Sequence, residues 1–442
     1  MSDSQQTSSK ARAKDQPISF LDEDWSWSDP SSWPLSIKFL PVAVAIVGIG
    51  ITVYFPSMSN QTRLNTLFAD NSCTGTFNYT FQIARAKAHA EELSTHDWEI
   101  GTAFEAILEL ISPEKSVFGS NPFPKGEIPI RYYKMDEALS YFHDTVPISE
   151  GKMLAENGYS VSDPASLGVG SIMLGQTSPK RLAAVERQKD YLLDGAPRYA
   201  NGAISHRVEV AELWSDAVSM VPPFLAYYGV AKKNLTLMRE AARQCELYRE
   251  VLTIREGERK GLWKHIVGPS EMADGGAWST GNAWAAYGML RVRATIATWS
   301  TSRDEMQDEI AALDSYILEI TEGAMRSDDD DSGLLRNYLG DSSWFGETAG
   351  TALLAAAAYR MGMTLDRSTA ERDKILKWAD SKRKAVVRHV DADGVAKPVV
   401  NSLKHGQREP LDGINPEGES FLLMMGAAWR ECVCSGRCSP DP

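Results

Sequence analysis

Between Ile204 and Gly229 the chain gathers titratable groups and apolar bulk in one short run. His206, Trp214 and Asp216 stand immediately before Met220, Val221, Phe224, Leu225 and Tyr228. A carboxyl beside an indole and an apolar segment is poorly solvated, which disfavours its charged form and raises its pKa. A carboxylic acid kept protonated near neutrality is what general-acid chemistry requires, so Asp216 is the first candidate. The competing reading makes Asp216 the N-terminal approach to a helix that Pro222 and Pro223 open and Gly229 closes.

A second dense stretch runs from Gly261 to Leu290. Trp263, Trp278 and Trp284 offer flat apolar faces of the kind that sugar rings stack on, with His265, Thr280 and Asn282 as hydrogen-bonding partners. Trp284, with Tyr287 three residues on, also fits simple core packing, whereas Trp278 sits among small loop residues.

Other chemistries find no motif. There is no HExxH, Walker loop or GxSxG, and Gly168-Val169-Gly170 lacks the strand–turn–helix setting of a dinucleotide site. The acidic run at residues 327–333 begins like a calcium loop, but its twelfth position is Leu339 instead of a bidentate glutamate. Neither a metal nor an organic cofactor is therefore expected. A net charge of −13 over 442 residues argues against nucleic acid as a partner. The five cysteines, Cys73, Cys245, Cys432, Cys434 and Cys438, are too few for a disulfide scaffold, and the C-terminal three lack partners for zinc. One or two disulfides near the C-terminus, with one thiol left over, fit an oxidising compartment.

The elements that must position these residues are helical. Apolar residues recur at helical spacing over Phe81–Leu93, Ala103–Ile111, Lys180–Leu193, Leu235–Leu252, Ala283–Thr298, Glu305–Ile320, Thr348–Tyr359 and Arg372–Val387. Strand-like alternation is confined to pieces such as Val208–Val210 and Val395–Val399. An all-α body of successive helix pairs without an interior linker suggests a closed (α/α) barrel or toroid, with an open solenoid as the competitor. The unusual residues fall between helices: Asp163, the 206–216 stretch, 263–284, 337–347 and 415–419.

Ahead of this body, residues 1–34 form a polar tail expected to be disordered, and residues 35–55 an apolar run of nearly the length that crosses a bilayer. Lys10, Arg12, Lys14 and Lys38 precede the run, which places the N-terminus in the cytoplasm and predicts a transmembrane signal anchor. Residues 56–80 then read as a stem, 81–434 as the catalytic domain and 435–442 as a tail. Sequons at Asn60, Asn78 and Asn234 agree with a glycosylated lumenal or extracellular body on a single-pass membrane protein.

Five motifs in order, ISHR…ELWSDAVSMVPPFLAYYG, GLWKHI, W-x-TGN-x-W, FGETAGTALLAAAAYRM and INPEGESFLLMMGAAWR, resemble the unsaturated uronyl hydrolases of glycoside hydrolase family 105, which is related to family 88. The resemblance spans roughly residues 80–432. It implies an (α/α)6 six-hairpin barrel and a glycosidase that removes a 4,5-unsaturated uronic acid from the non-reducing end of oligosaccharides of the rhamnogalacturonan type. In that reaction an acid protonates C4 of the enol ether, water adds at C5 and the hemiketal collapses, so the two-carboxylate separation rule for ordinary glycosidases does not apply. Carried over by motif, Asp216 matches the general acid/base and Asp163 the second catalytic aspartate. His206, Trp214, His265 and Trp278 match substrate-pocket positions, and Asn282 joins them from the local reading. Some relatives carry arginine where this chain has Thr280, which leaves the partner of the substrate carboxylate unassigned. A hydrolase of saturated glycosides and a non-catalytic carbohydrate-binding protein on the same barrel are the alternatives.

Overall fold

The computed structural model describes residues 77–156, 158–365 and 368–440. Two kinds of helix alternate along this chain. One kind is amphipathic: α1 (Ile83–Leu93), α3 (Glu137–Thr145), α6 (Pro179–Asp190), α8 (Leu235–Leu252), α10 (Gln307–Arg326) and α12 (Thr369–Arg388) each bury one face. The other kind is buried on nearly every side: α2 (Asp97–Ile111), α5 (Gly168–Gly175), α7 (Val221–Ala231), α9 (Ser279–Thr298), α11 (Thr348–Thr364) and α13 (Pro416–Cys434). A helix apolar all round must be surrounded by other elements. The second set accordingly forms an inner ring, each helix packed on the next, and α13 returns against α2 to close it. The first set lies outside, each pairing with one inner helix. This closed arrangement of hairpins fits the (α/α)6 barrel and excludes the open solenoid. A one-turn helix, α4 (Asp163–Ser166), precedes α5.

The strand content is smaller than the alternation suggests. Neither Val208–Val210 nor Val395–Val399 forms a strand. The extended pairs are β1 (Leu213–Trp214) with β2 (Ile266–Val267), and β3 (Leu335–Arg336) with β4 (Gly346–Glu347), both antiparallel. Gly229 does not end its helix; it lies inside α7, which runs to Ala231. The C-terminal cysteines are oxidised: Cys432 and Cys438 form a disulfide, Cys434 is disulfide-bonded as well, and Cys245 is a buried free thiol.

The membrane expectation is corrected. Among the described residues no helix is long and apolar enough to cross a membrane, which removes the support for a single-pass membrane protein with a lumenal or extracellular body. The tail, the apolar run at 35–55 and all but the last residues of the stem lie outside the described residues. Of the sequons, Asn234 caps α8, its Oδ1 accepting from the backbone N–H groups of Thr236 and Leu237.

Candidate active site

The inner helices present their N-terminal ends to one cleft. Trp98 comes from the first turn of α2, Asp163 from α4, Asp216 and Met220 from the turn before α7, Trp278 from the residue before α9, and Glu417 from the first turn of α13. With Tyr159, His206, Arg207, Trp214, Met272, Trp284, Ser402, Leu403 and His405 they line an open cleft of about 690 Å³, a volume that extends into solvent at the mouth. Unsatisfied backbone N–H groups and aligned peptide dipoles place about half a positive charge at each helix start. These helix starts partly offset the carboxyl groups of Asp163, Asp216 and Glu417 on the same wall.

Pairing of β1 with β2 sets Trp214 opposite Ile266, and the Ser215 N–H donates to the His265 carbonyl at 2.9 Å. That register brings the His265 ring beside the carboxyl of Asp216, with Nε2 3.4 Å from Oδ2. On its other side His265 Nδ1 lies 3.1 Å from Asp274, which also accepts from the Tyr338 hydroxyl. Burial opposes a charge on His265, but Asp216 and then Asp274 outweigh it, and its pKa is raised. Asp274 answers in kind: burial works against ionisation, yet the bonds from His265 and Tyr338 hold it at about 2.

This overturns the protonation expected of Asp216. Its side chain is 13 % exposed and burial does pull its pKa up, but the charge and contact of His265, with His206 behind, bring it below the usual carboxylate range. The neighbouring indole dries the site, and the cationic imidazole prevails. The carboxyl that burial does raise is Asp163, pushed up to about 7, with Ser160 and Tyr159 bonding to it and the charges of Asp97 and Asp216 adding to the rise. The two aspartates thus share one cleft in opposite states.

The walls are aromatic. Trp214 stacks on His206 at 4.4 Å and anchors its indole N–H on Glu212 at 2.7 Å. Burial holds His206 neutral, with a pKa of about 3, and its Nδ1 meets the Ser162 hydroxyl. Trp278 donates to Asn337 at 2.9 Å and packs 4.5 Å from His265. Trp284 reaches the cleft wall while its ring meets Phe421 edge-on.

Two anticipated pocket residues stand behind the wall. His265 is fully buried and acts on Asp216 from outside the cleft. Asn282 has its amide fully engaged: Oδ1 accepts from the Trp263 N–H at 2.8 Å, and Nδ2 donates to the carbonyls of Trp263 and Trp278 at 2.9 Å. It fixes the Trp263 and Trp278 backbones instead of meeting a ligand. Glu347 of the GETAG motif is likewise internal, capping α11 through the Ala349 and Gly350 N–H groups and accepting from Ser279 of α9.

The sequence reading passed over Trp98, Tyr159, Arg207, His405 and Glu417. Glu417 is 2 % exposed, accepts from the Trp98 indole at 3.2 Å through Oε2, and leaves Oε1 without a partner. Burial, with Asp216 and Glu99 nearby, pushes it well above the usual value, so it is a neutral acid. Its place in INPEGES, where glutamate follows a cap-and-proline pair (Asn415, Pro416) at a helix start, was the available signal. His265, Asp274 and His405 have ligand atoms within 4.8 Å of one another, but the first two are already committed to Asp216 and Tyr338.

Residues 150–429 match Glycosyl Hydrolase Family 88. This chain belongs to that family. The resemblance expected from its motifs therefore stands, as a six-hairpin glycosidase of the family 88 and 105 kind. Unsaturated rhamnogalacturonyl hydrolase YesR of Bacillus subtilis (strain 168) is similar at 23 % identity over 193 residues, 41 % of this chain and 52 % of that protein. The match thus spans about half the length of that relative. A crystal structure of a possible member of family 105 from Salmonella enterica serovar Paratyphi A covers 87 % of this chain and 97 % of its own, at 14 % identity and a TM-score of 0.60. An unsaturated glucuronyl hydrolase from Bacillus sp. GL1, described as responsible for glycosaminoglycan degradation, covers 76 % of this chain and 85 % of its own at 15 % identity and a TM-score of 0.51. At such identities the structural likenesses establish the fold alone.

Proposed function

We propose that this family 88 protein hydrolyses oligosaccharides that end in a 4,5-unsaturated uronic acid, releasing that terminal residue. The observation that carries the reading is the pair of aspartates in one aromatic cleft, Asp163 holding its proton to about pH 7 and Asp216 kept ionised by His265. An enol ether needs one group of each kind. Asp163 gives its proton to C4, and the positive charge that develops at C5 is shared with the ring oxygen. Water adds at C5 while Asp216 takes the proton that water sheds. The C5 hemiketal opens to a ketone, leaving a hemiacetal at C1 that expels the remaining sugar. Trp214 and Trp278 supply the flat faces against which the terminal ring lies, with His206 beside them. His265 and Asn282 position the acid and the wall.

Among such substrates we favour a rhamnogalacturonan type for this cleft. Met272 and Leu403 stand at its mouth 42 % and 63 % exposed, and apolar side chains there suit the methyl-bearing face of a 6-deoxyhexose. The distant likeness to a rhamnogalacturonyl hydrolase points the same way.

A second assignment of roles is favoured by His265, whose Nε2 lies 3.4 Å from Oδ2 of Asp216. Asp216 could pass that proton to C4 and recover one from water, with Asp163 only donating a hydrogen bond. Asp163→Asn separates the two. Loss of roughly three orders of magnitude in kcat identifies Asp163 as the proton donor, and a loss of about tenfold or less assigns the step to Asp216. The activity itself is tested by incubating the protein with lyase-generated oligosaccharides and following the alkene's ultraviolet absorbance. No loss on rhamnogalacturonan, glucuronan or glycosaminoglycan fragments would overturn the reading.

A further inference from the structure

A uronate-specific cleft needs a cation for the carboxylate on C5, one bond from the carbon that is protonated. The position at which some relatives carry arginine cannot supply it here. Thr280 is fully buried in the first turn of α9 and does not line the cleft. The histidines on the wall are no substitute, since burial holds His206 at about 3 and His405 at about 4, neutral at ordinary pH. His265 carries charge but is sealed behind Asp216 and Asp274.

Arg207 remains. Among the described residues it is the only lysine or arginine on the cleft wall. It follows His206 directly, and its backbone bridges to Ser160, which bonds to Asp163, so its side chain starts from the same corner as the acid. Its guanidinium lies 5.9 Å from the Tyr159 ring, and no carboxylate among the described residues comes within ion-pairing distance. Its Nε is buried and has no hydrogen-bond acceptor. A buried guanidinium N–H without an acceptor is costly, and here an incoming ligand can satisfy it. The planar fork of arginine matches a carboxylate through two parallel hydrogen bonds, which the point charge of lysine cannot reproduce.

We infer that Arg207 binds the carboxylate of the terminal uronate and sets the preference of the cleft for acidic over neutral sugars. The inference rests on the reading of the cleft as a uronate site. In this role Arg207 takes over, from a different loop, the task that Thr280 cannot perform. It neutralises the substrate's charge beside ionised Asp216 and fixes the ring so that C4 faces Asp163.

The test compares wild type, Arg207→Lys and Arg207→Met on an unsaturated disaccharide and on its methyl ester, which keeps the alkene and loses the charge. Wild type is expected to favour the free acid by roughly 10- to 100-fold in kcat/KM, carried mainly by KM. Arg207→Met should lose that preference and Arg207→Lys retain part of it, with both variants melting close to wild type. If Arg207→Met discriminates as wild type does, the inference is overturned while the proposed activity stands. If wild type turns over neither compound, the proposed activity has failed, and binding decides the inference. Galacturonate and galactose are then titrated against the fluorescence of the cleft tryptophans. A preference for galacturonate that disappears in Arg207→Met supports the assignment, and one that persists, or is absent from wild type, overturns it.

Discussion

In the proposed hydration Asp163 must hold its proton for the reaction to begin, and Asp216 must lack one. These requirements fix the direction of the pH profile. As pH rises through about 7, Asp163 ionises and kcat/KM should fall tenfold per unit. A profile flat to pH 9 would rule out Asp163 as the donor. Toward acid, activity should persist below the ordinary carboxylate range, because His265 keeps Asp216 charged. Glu417 imposes a pH dependence on stability instead. Its folded pKa lies above the unfolded value, mainly through burial, so the folded state binds the extra proton. The stability this brings is fully present below the unfolded pKa and is lost as pH rises through the folded one. Glu417→Gln keeps the shape without the titration, so its melting temperature relative to wild type should be higher at pH 8 than at pH 5. An unchanged difference between the two would mean that Glu417 is not held neutral.

At the scale of elements, the acid turn is positioned by contact without side chains. The 3-10 turn Ser215–Ser219 rests on α9 at Gly288, where an added Cβ would lie 2.3 Å from the Val218 carbonyl oxygen. Gly288→Ala must therefore push the turn off α9. The expected cost is about 1–3 kcal/mol, and a larger fractional loss of kcat than of folded protein, because Asp216 moves with the turn. Kinetics that match wild type would show that the turn tolerates the shift. The helices themselves were largely legible: α8 runs over Leu235–Leu252 as its spacing predicts, and α9 and α11 differ from their expected spans by a few residues. Asp163, Asp216, Trp214 and Trp278 were legible as residues that line the cleft because each belongs to a local motif. The charge on Asp216 was not, since His265 arrives from 49 positions along the chain through the β1–β2 pairing. Arg207 and Glu417 were hidden for the same reason: what distinguishes them is an unpartnered nitrogen and an unpartnered oxygen, and both are properties of the folded cleft.

Across the whole molecule the two ends of the inner ring divide the work. The helix N-termini converge on the cleft and its aromatic wall. Toward the opposite ends, α2, α9, α11 and α13 meet in a buried ion network that contains no cleft residue. Fully buried Glu109 of α2 accepts from Arg291 of α9 at 2.9 Å and from Arg360 of α11 at 2.7 Å, as well as from the Tyr287 hydroxyl, while Arg360 continues to Glu431 of α13. Arg430 of α13 adds bonds to the carbonyls of Glu109 and Leu110, at the seam where the ring closes. Removing one member of a buried pair leaves its partners as uncompensated charges, a cost of about 3–5 kcal/mol, which is a large share of a typical stability of about 5–15 kcal/mol. Glu109→Ala takes one carboxylate from each of two guanidinium groups but leaves Arg360 with Glu431 and Arg291 with Glu105, so the stability read from denaturant unfolding should fall by an amount toward the lower end of that range. Because the network lies away from the cleft, turnover per folded molecule at low temperature should stay near that of wild type. Full stability in Glu109→Ala would mean that apolar packing alone closes the ring, whereas a stable variant with lost turnover would mean that the two ends are coupled through the inner helices.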